Sequence, residues 1–248
     1  MALTKIPKRL RDKYEIHEWR SASAILMGDF PAQWKDIADV LSRFRLLKSQ
    51  VVVGGGSKTK IAGWIDEALT RKGWREKHFS TSINVDDRVY ASPTHKVDCF
   101  KNGVGLEIEW NNKDPFFDRD LNNFRLLFDL RALAVGVIVT RCDELETIFK
   151  DLVKRGLKPS SSYGESTTHM GKLLPRLDGG GGGGCPVLVF GIKPGLYVED
   201  VSDEAARGLL ASAAAEKKRK AAEKLLRKQK GVSALLDVQD ADDEESDE

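Results

Sequence analysis

Residues 96–110, KVDCFKNGVGLEIEW, constrain this chain more than any other segment. Asn102-Gly103 is a hairpin-turn dipeptide, because both central positions of a type I′ turn need positive φ. The arm after the turn alternates, with Leu106, Ile108 and Trp110 pointing one way and Glu107 and Glu109 the other. Asp98 lies on the first arm of the same hairpin. The segment therefore predicts a sheet with one apolar face and another that gathers three carboxylates. The same alternation also describes a solvated sheet face, and spacing alone does not separate the two.

The flanks give an α/β alternation. Residues 30–48 place Trp34, Ile37, Val40, Leu41 and Phe44 at helical spacing. A short apolar run at 51–53 stops at the glycines 54–56, and Ser57 is a candidate cap for a helix over 59–72. Beyond Asn111 and Asn112, the pattern predicts a helix over 118–131, a strand over 134–140, a helix over 144–154, a polar loop over 158–169, a short helix over 168–175 and a strand over 186–192. The six-glycine run 179–184 lacks the Lys-Ser/Thr ending of a phosphate-binding loop and is expected to be a flexible connection.

The 248 residues are expected to form one α/β domain over 1–201, a basic helical extension over 202–230 and an acidic, disordered tail over 231–248. The tail carries eight acids and no base; the preceding residues hold 40 basic and 30 acidic side chains, a net of +10 that suits a polyanionic partner. No stretch approaches the ~20 apolar residues that span a bilayer, and the charged N-terminus has no secretory pattern, so a cytoplasmic protein without membrane contact is expected. Three scattered cysteines make neither a disulfide framework nor a zinc site.

The carboxylates suit phosphodiester hydrolysis. Mg²⁺ prefers oxygen ligands and keeps several waters, so two or three carboxylates at a sheet edge form a suitable cradle. Asp98 and Glu107 can hold the ion between the arms, with the backbone carbonyl of Ile108 as a further ligand and Glu109 near the attacking water.

Asp98…Glu107-Ile108-Glu109 resembles the PD-(D/E)xK nuclease motif, with Glu109 in place of the usual lysine. The longer run VDCFKNGVGLEIEWNNKDPFFDRDLNNFRLLFDL, followed by VGVIVTR, resembles the BglII/BstYI-type restriction endonucleases from about His17 to Asp200. That resemblance implies a restriction-endonuclease-like mixed sheet flanked by helices, with the extension outside it. It also implies a homodimer that makes a staggered, Mg²⁺-dependent cut in double-stranded DNA, at a palindrome containing GATC. Asp98 and Glu107 take the metal-ligand role by the match, while Glu109 is open as base, ligand or water orienter. Glu67 is a candidate additional acid, since some nucleases of this superfamily add a helical carboxylate.

Candidates for contacting DNA are Asn111, Asn112 and Lys113 after the catalytic strand, and Ser162, Tyr163, Thr167, Thr168 and His169 in the polar loop. Two other readings are carried alongside: a structure-specific or repair nuclease of the same superfamily, and a non-catalytic DNA-binding protein.

Overall fold

The structure, a computed structural model, describes residues 2–54, 59–92, 94–158 and 162–244. Ser57, the expected cap, lies outside them. Helix α1 (Lys8–Arg11) leads into strand β1 (Tyr14–Trp19), followed by α2 (Ala22–Asp29), α3 (Pro31–Arg43), β2 (Leu46–Leu47), α4 (Lys48–Val53) and α5 (Lys60–Thr70). Strand β3 (Arg75–Lys77) precedes a separate hairpin, β4 (Thr81–Val85) with β5 (Arg88–Ser92). Then come β6 (Val97–Lys101), β7 (Val104–Ile108), α6 (Pro115–Asp129), β8 (Val135–Arg141), α7 (Leu145–Lys154), α8 (Met170–Asp178), β9 (Val187–Ile192), β10 (Tyr197–Val198) and α9 (Asp203–Glu244).

Six strands form one mixed sheet in the order β1-β9-β8-β7-β6-β3. The three central strands, β7, β8 and β9, run parallel and are buried at every position, as expected of strands covered on both faces. The hairpin forms as its turn residues require: Asn102 and Gly103 have φ of 44° and 84°. Thr59, in place of Ser57, caps α5 by accepting from the Ala62 amide at 3.1 Å. The apolar run at 51–53 is the end of α4. Among the described residues no helix is long and apolar enough to cross a membrane.

Helix α6 is seated on the sheet by missing side chains. Gly105 and Gly136 are paired across β7 and β8. A Cβ on Gly136 would sit 2.4 Å from the Phe124 ring, and one on Gly105 would sit 2.7 Å from Leu133. The bare patch lets Phe124 of α6 drop against the strands, where it is fully buried. Asp120 lies one helical turn before Phe124, and Glu107 lies two residues after Gly105 on the same face of β7. This contact therefore brings Asp120 to Glu107.

The glycine run 179–184 is an ordered turn, contrary to the expected flexible connection. Gly181 donates to the Arg176 carbonyl at 2.9 Å and Gly183 to that of Gly180 at 2.8 Å. The Gly183 carbonyl accepts from Trp19 Nε1 at 3.0 Å and Arg20 Nε at 2.9 Å. Gly183 has φ of 57°, and a Cβ there would meet the Arg125 side chain at 2.6 Å. Glycine here removes a collision.

Helix α9 continues through Glu244, so it takes in residues 231–244 of the segment expected to be a disordered tail.

Gly136→Ala is expected to destabilise the protein by roughly 1–3 kcal/mol through overpacking against Phe124, measured by urea denaturation. Wild-type stability in the variant would show that α6 does not rest on this patch.

Candidate active site

Asp98 and Glu107 face each other across the β6–β7 ladder, following the Cys99–Leu106 pair in register. The Asp98 amide donates to Glu107 Oε2 at 3.3 Å, and Asp98 Oδ2 accepts from the Ile108 amide at 3.1 Å. Glu107 and Glu109 are each only 1% exposed, so the sheet face carrying them is not solvated. Helix α6 covers it and adds a third buried carboxylate, Asp120, also 1% exposed.

Three devices hold these like charges together. Arg119 Nη2 reaches Asp120 Oδ1 at 2.7 Å and Glu109 Oε1 at 3.4 Å. Asn112 Nδ2 donates to Glu109 Oε2 at 2.8 Å. A proton is the third: burial first, then the charge of Asp120 and a hydrogen bond to it, push Glu109 up to about 9. Burial, then Asp120 and Asp98, hold Glu107 well above the ordinary carboxylate range. Asp120 is raised by burial too, against the lowering effects of Glu109 and Arg119.

Two buried oxygens of this group are left over. Glu107 Oε1 and Asp120 Oδ2 have no hydrogen-bond partner. Unpaired buried acceptors in a group of like charges are costly, and a hard divalent cation answers both faults. Among the described residues, no group of three or more His, Cys, Asp and Glu side chains stands where it could hold a metal ion. The donor set fits Mg²⁺ nonetheless, because that ion takes one or two carboxylates and completes its shell with water.

Residues 14–192 match the family model of restriction endonuclease BglII/BglIII, from the first residue of β1 to the last of β9. The chain belongs to that family. It is a type II site-specific deoxyribonuclease with the mixed α/β fold of restriction endonucleases. No curated protein matches the chain.

The two predicted DNA-contact segments are joined to each other. Lys113 and Thr167 form an antiparallel bridge, the Thr168 amide donates to the Asn112 carbonyl at 2.8 Å, and the Asp114 amide donates to that of Ser166 at 3.1 Å. Lys113 is exposed, Thr167 and Ser162 are half-buried, and His169 pairs through Nδ1 with Asp143. Asn112 spends its amide on Glu109, and Asn111 makes the left-handed turn after the strand, with φ of 61°.

Two of the expected contacts have other duties. Tyr163 is 5% exposed, stacks on Phe149 with ring centroids 4.3 Å apart, and accepts from Trp110 Nε1 at 3.4 Å. Thr168 is fully buried, and its Oγ1 accepts from the Asn112 amide at 3.2 Å. Both anchor the loop from beneath, because a loop this polar needs fixed points in the core. Glu67 is not brought to the site: its side chain is 66% exposed and pairs with Arg71 one turn on. The acid that sequence reasoning missed is Asp120. Its signal is present in PFFDRDLNNF, where an aspartate falls on the apolar stripe shared by Phe117, Leu121 and Phe124.

Lys158 stands at the base of the loop, 5% exposed, with Nζ 3.3 Å from the centroid of the Tyr163 ring. Burial, and then the charge of Arg141, lower it to about 7 from 10.5. The unfolded chain therefore binds more protons than the folded one between these two values, and this lysine's contribution to stability grows as pH rises through that window.

Two outcomes are expected. Lys158→Met should be more stable than wild type at pH 7 by a few kcal/mol, because each tenfold loss of proton affinity on folding costs ~1.4 kcal/mol, and the gap should close toward pH 10. A gap independent of pH, in parallel denaturation series, would mean the lysine is charged in the fold. Separately, Ca²⁺ should raise the melting temperature of wild type. Glu107→Gln should raise it without metal and abolish the response; a retained response would put the cation elsewhere.

Proposed function

We propose that this restriction endonuclease cuts both strands of duplex DNA with Mg²⁺ held by Asp98, Glu107 and the Ile108 carbonyl, acting as a homodimer on a palindrome that contains GATC. The observation carrying the metal assignment is the pair of unsatisfied, buried oxygens, Glu107 Oε1 and Asp120 Oδ2, in a carboxylate group at the end of the hairpin. The GATC core rests on the resemblance of residues 98–141 to the BglII/BstYI type. The homodimer rests on that resemblance and on symmetry, because a two-fold dimer presents the same reading surface to both halves of a palindrome.

When bound, the cation lowers the pKa of a water and offsets charge on the phosphate. The rest falls to side chains. Asp98 is fixed by the Ile108 amide, so its carboxylate is oriented before any ligand arrives. Glu109 stands where the nuclease motif ordinarily has lysine. With its proton it is neutral like an amide; without it, it is a base. Asn112 and Arg119 orient it in either form. The raised proton affinity of Glu109 and its contact with Asp120 support a role in positioning and deprotonating the attacking water.

Digestion of an unmethylated, sequenced plasmid tests the reading. Wild type with Mg²⁺ should give discrete fragments whose ends map to one palindrome. Glu107→Ala should bind the same duplex and cleave at least about a thousandfold more slowly, a loss of ~4 kcal/mol in transition-state stabilisation. Cutting by purified Glu107→Ala would remove the site assignment, and ends lacking GATC would remove the proposed core sequence. Sedimentation should give twice the 27.6 kDa chain mass.

A further inference from the structure

We propose that the cavity between α7 and residues 162–169 of the polar loop holds a single guanine base, bonded to Arg141 and packed on Phe149. The inference goes beyond the metal and cleavage reading above and depends on neither.

The cavity measures about 380 Å³ and is lined by Arg141, Phe149, Val153 and Tyr163 among others. That volume lies within the roughly 300–1,000 Å³ of small-molecule sites. Its aromatic wall is built and held. Phe149 is buried and stacks on Tyr163, and Trp110 meets both rings edge-on, with centroids 6.4 and 5.7 Å away.

Arg141, the last residue of β8, is only 3% exposed. Its Nη2 serves the loop, donating to the Tyr163 and Gly164 carbonyls at 3.3 and 3.5 Å and to Thr167 Oγ1 at 2.9 Å. Its Nε is buried without a partner, and its Nη1 makes no hydrogen bond among the described residues. A guanidinium carries five N–H donors, so the one on Nε and the two on Nη1 are uncommitted. The carboxylates on the lining are turned to other work: Asp143 pairs with His169, Glu146 pairs with Lys150 at 2.9 Å, and Glu165 is exposed. Burial holds the guanidinium below its ordinary value. A second buried cation, Lys158, adds to the same unbalanced charge, since burial and then Arg141 push it down to about 7.

Buried donors without acceptors are costly. What fits here is a flat group that brings adjacent acceptors on one edge and an apolar face. Guanine brings both: O6 and N7 accept side by side and are the commonest base partners of arginine, and the ring packs on aromatic side chains. A bare phosphate would supply acceptors but leave Phe149 and Val153 uncovered, and it would add negative charge beside Asp143, Glu146 and Glu165. Arg141 lies too deep to reach a base stacked in a duplex, so the guanine is either swung out of bound DNA or part of a free nucleotide. Its arrival would be felt at the carboxylates, because Arg141 holds Thr167, Thr167 bridges to Lys113, and the adjacent Asn112 holds Glu109.

The test uses full-length protein without divalent metal, in two arms. Calorimetric titration with the four deoxynucleoside monophosphates and with inorganic phosphate probes a free ligand. Short duplexes with one bulged guanine, one bulged adenine or no bulge probe an extruded base. Guanine should be preferred by at least about tenfold in one arm, and the arm that responds names the source. Val153→Phe fills the cavity without touching the hydrogen bonds of Arg141 to the loop, and it should abolish the preference. Arg141→Lys keeps the charge but loses the planar donors, and it should cut the preference to less than about threefold. No guanine preference in either arm would overturn the proposal, as would a preference retained by either variant with wild-type circular dichroism. Equal binding of all four nucleotides and of inorganic phosphate would also overturn it, by making this a site for phosphate alone.

Discussion

Burying like charges is unfavourable, and this protein buries three carboxylates together. Glu107, Glu109 and Asp120 would repel one another apart if each were free to turn to water. Apolar packing denies them that freedom. Phe124 drops onto the paired glycines of β7 and β8, α6 follows, and Asp120 is held against the strand that carries the two glutamates. Each large side chain buried in that contact contributes roughly 1.5–3 kcal/mol, and several such contacts outweigh one unfavourable cluster. Arg119, Asn112 and a retained proton reduce the remaining repulsion without abolishing it. The site is thereby left short of positive charge.

Directly after β7, Glu109 leads into the polar segment from Asn111 to Lys113. Asn112 touches Glu109 through its side chain and Thr168 through its backbone, and Lys113 bridges to Thr167 one residue later. The buried carboxylates and the polar loop are thus joined by one short, hydrogen-bonded stretch. Its far wall is anchored by buried Tyr163 and by Arg141, whose Nη2 donates to Thr167 Oγ1 at 2.9 Å. A surface held this way keeps exposed groups such as Lys113 in fixed relation to the carboxylates, so a shift of the loop is transmitted to Glu109.

Much of this is legible in the chain alone. The hairpin, the three parallel core strands and the helices between them follow from local periods of 2 and 3.6 residues, and those periods survive folding because each element buries one face. Strand β1 and the β4–β5 hairpin are not legible in this way. Val85 and Val89 are 51% and 71% exposed, and Glu15, His17 and Glu18 make β1 look polar. Such strands are held mainly by backbone pairing, which leaves little trace in side-chain pattern. The glycine run misleads for a related reason: composition cannot distinguish glycine used for slack from glycine used to avoid Arg125.

By itself the sequence determined the turn at Asn102-Gly103, the alternation that sets Glu107 and Glu109 on one side, and the register that puts Asp98 opposite Glu107. These are consequences of chain geometry over a dozen residues. Only the tertiary structure decided that Asp120 joins the group and Glu67 does not, and that Tyr163 and Thr168 anchor the loop from inside. Which helix covers which face is settled by packing between distant segments, and a side chain's neighbours across that contact leave no period in the chain that carries it.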